Sequence, residues 1–194
     1  MKKFLYSLST AAVIATLLLS SCKKTEDVKP KDQGTGAGDE EAITRITLTF
    51  ASASGDVATA SFTDPDDSGP KLPTITGLTL KKGMIYNGTI KIYDDTKTPI
   101  KFVNEEIQEE SNAHRFHYVY SPAAASTTTM PVDITDKDLK NLPLGLTYTA
   151  KVGSATGTGK LRVTLRHFDG ITKTNNIADG EADFDLDFDV VIVD

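Results

Sequence analysis

Residues 182–194 read ADFDLDFDVVIVD, with Phe184, Leu186, Phe188, Val190 and Ile192 at every second position and a charge or β-branched residue between them. A period of two is that of an extended strand, whose successive side chains point to opposite faces. One face of this segment must therefore be buried and the other wet. The same alternation recurs upstream. ITRITLTF (43–50) aligns Ile46, Leu48 and Phe50, and MIYNGTIKIY (84–93) aligns Met84, Tyr86, Ile90 and Ile92. RFHYVY (115–120) aligns Phe116, Tyr118 and Tyr120, and GKLRVTLRHF (159–168) aligns Leu161, Val163, Leu165 and His167. With shorter or weaker runs at 57–62, 74–80, 132–134 and 146–152, the pattern predicts about nine strands. Clusters of Gly, Pro, Asn and Asp separate them, as turns require. Many short strands with little helix predict an all-β fold, an antiparallel β-sandwich of immunoglobulin-like kind with one short helical insert, over residues 42–194.

The insert is expected at FVNEEIQEESNAH (102–114), where Val103, Ile107 and His114 recur at helical spacing while Glu105, Glu106 and Glu109 face water. On such a helix Glu106, Glu110 and His114 stand at i, i+4 and i+8 and share a stripe. Carboxylates and an imidazole on one stripe suit zinc or another divalent transition metal. His167, at the end of the inward-facing series Leu161, Val163, Leu165, is the expected further ligand, with Asp169 in reserve. His117 falls on the face opposite Phe116 and Tyr118. The competing reading is a wet helix whose terminal His114 favours the helix dipole, with His167 an ordinary histidine at the edge of the core.

The odd-numbered acids Asp179, Glu181, Asp183, Asp185, Asp187 and Asp189 would share the outer face of the last strand if it ran unbroken. Like charges stacked at strand spacing repel, so basic partners are expected across the sheet, Arg162 and Arg166 first among them. DPDDSG (64–69) imitates the first half of a calcium loop, but Ile75 stands where the closing glutamate belongs, and a hairpin turn is the better reading. GSATGTGKL (153–161) lacks the spacing and the following helix of a phosphate loop. No Ser/His/Asp arrangement, nucleophile elbow or catalytic carboxylate pair is recognisable, so enzymatic activity is not expected.

The start of the chain sets its expected address. Lys2 and Lys3 precede an uncharged run, Phe4 to Leu19, that is short for a membrane span and ends in Leu19-Ser20-Ser21-Cys22. Residues 1–21 are read as a cleaved signal peptide and Cys22 as the residue acylated after cleavage. Cys22 is the single cysteine, so there is no internal disulfide and no thiolate metal cage. Residues 22–41 carry charge and Gly with almost nothing apolar, a tether spanning about 20–25 Å. Removing Lys2 and Lys3 leaves 19 of the 21 basic residues against 27 acidic ones, a net charge of −8. That balance disfavours nucleic acid as a partner and leaves the acyl chains to hold the membrane.

The lipobox, GDEEAITRITLTF, TDPDDSGP, NEEIQEESNAHRFHY, NLPLGLTY, GTGKLRVTLRHFDG and the closing Asp-alternating strand together resemble a family of Bacteroidota outer-membrane lipoproteins of unassigned function. Some members are labelled type 1 periplasmic binding fold proteins, a fold that would need alternating βαβ units where this chain offers one helix among many strands. The resemblance implies the outer membrane or cell surface as the address, as does the Lys-Thr-Glu-Asp segment after Cys22, which is similar to short surface-export signals. It also implies a glutamate-rich helix with its histidine and a Leu-Arg…His block as characteristic, falling on Glu106, Glu110, His114 and His167. The expected function is capture of a small ligand or divalent metal, assisting an outer-membrane transporter. The alternative is a structural or adhesive surface lipoprotein without a small ligand.

Overall fold

The computed structural model describes residues 42–67 and 69–194. The expected signal peptide, Cys22 and the tether lie outside the described residues. Eleven strands and one helix follow in the order β1 (Arg45–Ser52), β2 (Val57–Thr63), β3 (Thr74–Thr76), β4 (Leu78–Lys81), β5 (Ile85–Asp94), β6 (Lys101–Phe102), α1 (Asn104–Glu109), β7 (His114–Pro122), β8 (Val132–Ile134), β9 (Thr147–Lys151), β10 (Gly157–His167) and β11 (Glu181–Val193). They form two sheets. Seven strands run β3-β2-β1-β5-β9-β8, with β6 on the far end of β5, and four run β4-β11-β10-β7. The inner faces meet in one core, Ile46, Leu48, Phe50, Tyr86, Ile90 and Tyr148 from the first sheet against Phe116, Leu161, Val163, Leu165, Phe184 and Phe188 from the second. This is the all-β sandwich that the alternation predicts.

Two strands exceed the expected number. The run at 74–80 divides at Gly77, where β3 leaves β2 in one sheet and β4 joins β11 in the other. A Cβ on Gly77 would lie 2.5 Å from the carbonyl oxygen of Asp189, so the crossing is open to glycine alone. The second addition is β6, two residues long and below the reach of any periodicity. The pairings are antiparallel except one, since β4 runs parallel to β11.

The helix is also shorter than the 13 residues 102–114 suggest. Its six residues end at Glu109, and the C-cap Glu110 leaves the helical region with φ −95° and ψ 28°. Ala113 N–H closes a turn on the Glu110 carbonyl (2.8 Å) and the chain re-enters a strand at His114. Buried Asn104 replaces a missing neighbour strand, its side chain accepting from Ile92 N–H (2.7 Å) and donating to the Ile90 carbonyl (2.8 Å).

Gly88 stands opposite Tyr148 on β9, and a Cβ there would lie 1.9 Å from a ring carbon of Tyr148. That ring is 1 % exposed and packs edge-on to Phe50 and at 4.4 Å from Tyr118. A glycine inside a strand ordinarily gains from replacement by Ala, but Gly88 is buried. Here Gly88→Ala is expected to lower stability by about 1–3 kcal/mol through overpacking, read as a fall in the urea midpoint at unchanged slope, while Thr89→Ala on the wet face changes it little.

Candidate metal centre

His114 opens β7 and His167 closes β10, and antiparallel register sets them opposite each other. Both continue the inward-facing series of their strands, so they meet at the rim of the core with ring centroids 4.4 Å apart and planes 20° from parallel. The turn between α1 and β7 brings Glu110 over the same rim. One ligand atom from each of Glu110, His114 and His167 lies within 4.8 Å of the other two. The expected grouping of these three is therefore met by cross-strand pairing and a turn, not by a helical stripe.

Glu106 is not in the group. It faces Lys101, with Nζ 2.8 Å from a carboxylate oxygen. Asp169 is exposed in the turn after Phe168. The additional carboxylate at the rim is Asp183, which the periodicity assigns to the outer face. Between Leu165 and Arg166 the register with β11 shifts, Leu165 facing Phe184 and Arg166 facing Ala182. Asp183 is the unmatched residue of that bulge, and its carboxylate oxygens lie 4.0 Å from His114 Nε2 and 4.0 Å from His167 Nδ1. Asp185, Asp187 and Asp189 stay outside, against Thr164, Arg162 and Lys160, so the expected cross-strand neutralisation reaches Arg162 but not Arg166.

The imidazole of His114 is prepared as a ligand. Its Nδ1–H donates to the Glu110 carbonyl at 3.2 Å. A carbonyl only accepts, so the hydrogen resides on Nδ1 and the Nε2 lone pair is directed to the rim, the outer-sphere arrangement by which metal-bound histidines are oriented. Burial, with His167 beside it, pushes His114 down to about 4 against the pull of the Glu110 hydrogen bond and the Glu106 charge. The ring is neutral at pH 7. His114 is 6 % exposed and Glu110 is exposed, so the site opens to solvent on the glutamate side. There a shallow groove is lined by Lys101, Phe102, Glu105, Glu106, Glu109 and Glu110. Two imidazoles beside carboxylates form a donor set for zinc and its neighbours in the first transition row.

The turn carrying Glu110 is fixed from behind. Phe168 N–H donates to the Ala113 carbonyl (2.7 Å), and Lys173 Nζ donates to the Ser111 carbonyl and to Asp138, each at 2.9 Å. The calcium-like segment is a turn, Asp66 accepting from Gly69 N–H through its carbonyl and from Lys71 N–H through its carboxylate; Ser68 lies outside the described residues.

On the outer face of the second sheet, His117 lies between Arg115 of its own strand and the β10 residues Thr164 and Arg166. Burial and the charges of Arg115 and Arg166 push it down to about 4. The unfolded chain therefore takes up this proton first as pH falls. The associated stability is complete above about pH 6.5 and is lost toward pH 4. His117→Gln is expected to remove about 1–3 kcal/mol of the acid-induced loss between those pH values, the figure being reduced for the ring's partial exposure. Urea unfolding of both proteins across the interval measures it, and His114, titrating in the same direction, cancels in the comparison.

Comparison with protein-family profiles, with curated proteins and with solved structures returns no match.

Proposed function

We propose that this chain is a lipid-anchored protein of the outer membrane or cell surface that binds a divalent transition metal, zinc foremost, through Glu110, His114 and His167, and presents it to an outer-membrane transporter. The observation that carries the reading is the cross-strand histidine pair with Glu110 beside it, His114 already holding the tautomer a metal needs. The acidic groove supports it, because a cleft of one sign raises the local concentration of cations and their rate of arrival. Glu106 belongs to that approach, its carboxylate held by Lys101. Acylation of Cys22 would keep the site within a tether's length of the membrane, and the lipobox supports that placement.

Two measurements test the proposal. The protein purified without a histidine tag is expected to carry close to one equivalent of zinc, copper or iron by elemental analysis. A metal-free protein whose melting is unchanged by added metal would favour the structural or adhesive alternative. Labelled palmitate is expected to enter the wild-type chain and not Cys22→Ser, which should leave the membrane fraction; equal retention of both would refute the anchor.

A further inference from the structure

We propose that Asp183 is the fourth protein ligand of the centre, closing it into a four-coordinate set of two imidazoles and two carboxylates that holds zinc and leaves no position for a reacting water. The inference rests on the metal-binding reading above and goes further, because it separates a site that only binds its ion from one that performs hydrolysis: non-catalytic zinc sites are filled by protein ligands, and catalytic ones keep a position open.

The bulge is the first support. Strict alternation would send Asp183 outward with Asp185 and Asp187, and the register shift at Leu165/Arg166 instead delivers it to the histidines. Bulges re-aim side chains in this way beside functional sites. Distance is the second. Its two carboxylate oxygens approach the two rings equally, each at 4.0 Å. A tetrahedral ion with bonds of about 2.0–2.2 Å needs ligand atoms about 3.4 Å apart, so each Asp183 oxygen stands about half an ångström beyond that separation from the ring nitrogen it faces. Charge is the third. Two carboxylates balance a divalent ion, and two nitrogens with two oxygens are too few and too soft for calcium, which takes six to eight oxygens.

The test uses the full chain in detergent as wild type, Asp183→Asn, Asp183→Cys and the control Asp185→Asn, with zinc affinity read by chelator competition and geometry by the visible spectrum of bound Co2+. The wild type is expected to give the intense bands of tetrahedral cobalt. Asp183→Asn should lose more than about 100-fold in zinc affinity, beyond the loss typical of outer-sphere partners, and its cobalt bands should weaken as water enters. Asp183→Cys should retain the metal and add a thiolate-to-cobalt band in the near ultraviolet, a signal no supporting role produces. Asp185→Asn should match wild type. A smaller loss in Asp183→Asn with an unchanged cobalt spectrum, or no thiolate band from metal-loaded Asp183→Cys, overturns the assignment of Asp183 while the three-residue site stands. Failure of the wild type to bind either ion overturns the metal reading itself.

Discussion

Lys173→Met is expected to lower the unfolding free energy by about 3–5 kcal/mol, a large share of the stability of a domain this size. The side chains of Lys173 and Asp138 are 2 % and 0 % exposed, with Nζ 2.9 Å from the carboxylate. Burial alone would raise the Asp138 carboxyl, but hydrogen bonds from Lys173 and from the N–H groups of Leu142 and Lys140 hold it below its usual value. Burial pushes the Lys173 ammonium down, against the Asp138 hydrogen bond. Removing the cation strands a charge with no access to water, and the Ser111 carbonyl loses its donor as well. The double variant Lys173→Met/Asp138→Leu should regain much of the loss, because apolar replacements of a buried ion pair are often neutral. Chemical denaturation of the three proteins settles it: a single-variant loss below about 1 kcal/mol would mean that water reaches the pair. Since Lys173 also holds the turn bearing Glu110, the single variant should bind zinc less tightly than wild type.

The second large effect concerns the centre. Zinc at a thousandfold excess over its Kd should stabilise the wild type by about 4 kcal/mol, which for a domain of this size is about 8–16 °C in Tm. His114→Ala and His167→Ala should each abolish that shift while remaining folded. Either variant retaining the full shift would remove that histidine from the ligand set. His114→Ala also opens a void at a 6 % exposed position and forfeits the Nδ1 hydrogen bond, so its metal-free form should melt below that of His167→Ala, whose side chain is 36 % exposed.

The sandwich was legible because half-burial writes itself into sequence with a period of two, and β1, β5, β7, β10 and β11 all carry it. Gly77 hid a change of sheet: the apolar phase slips from Ile75 to Leu78 and Leu80 across it, but the run is too short for that slip to be read as two strands. Three residues of the grouping, Glu110, His114 and His167, were legible, and how the fold brings them together was not. His114 and His167 stand out as inward-phased positions in their strands, yet their pairing is a matter of register between β7 and β10, which one sequence does not reveal. The helical stripe joining Glu106, Glu110 and His114 depended on a helix that stops at Glu109, and the same stop that left Glu106 with Lys101 created the turn that carries Glu110. Asp183 was hidden for the opposite reason: its alternation was too regular, and a bulge is set by the partner strand and not by the residue displaced.

The most direct measurement of the central claim is anomalous diffraction at the zinc edge from crystals of the tag-free protein grown with zinc. One full-occupancy peak is expected about 2.0–2.2 Å from His114 Nε2, a ring nitrogen of His167 and a carboxylate oxygen of Glu110. Peaks confined to scattered surface carboxylates, with the histidine rings still stacked and unligated, would contradict it.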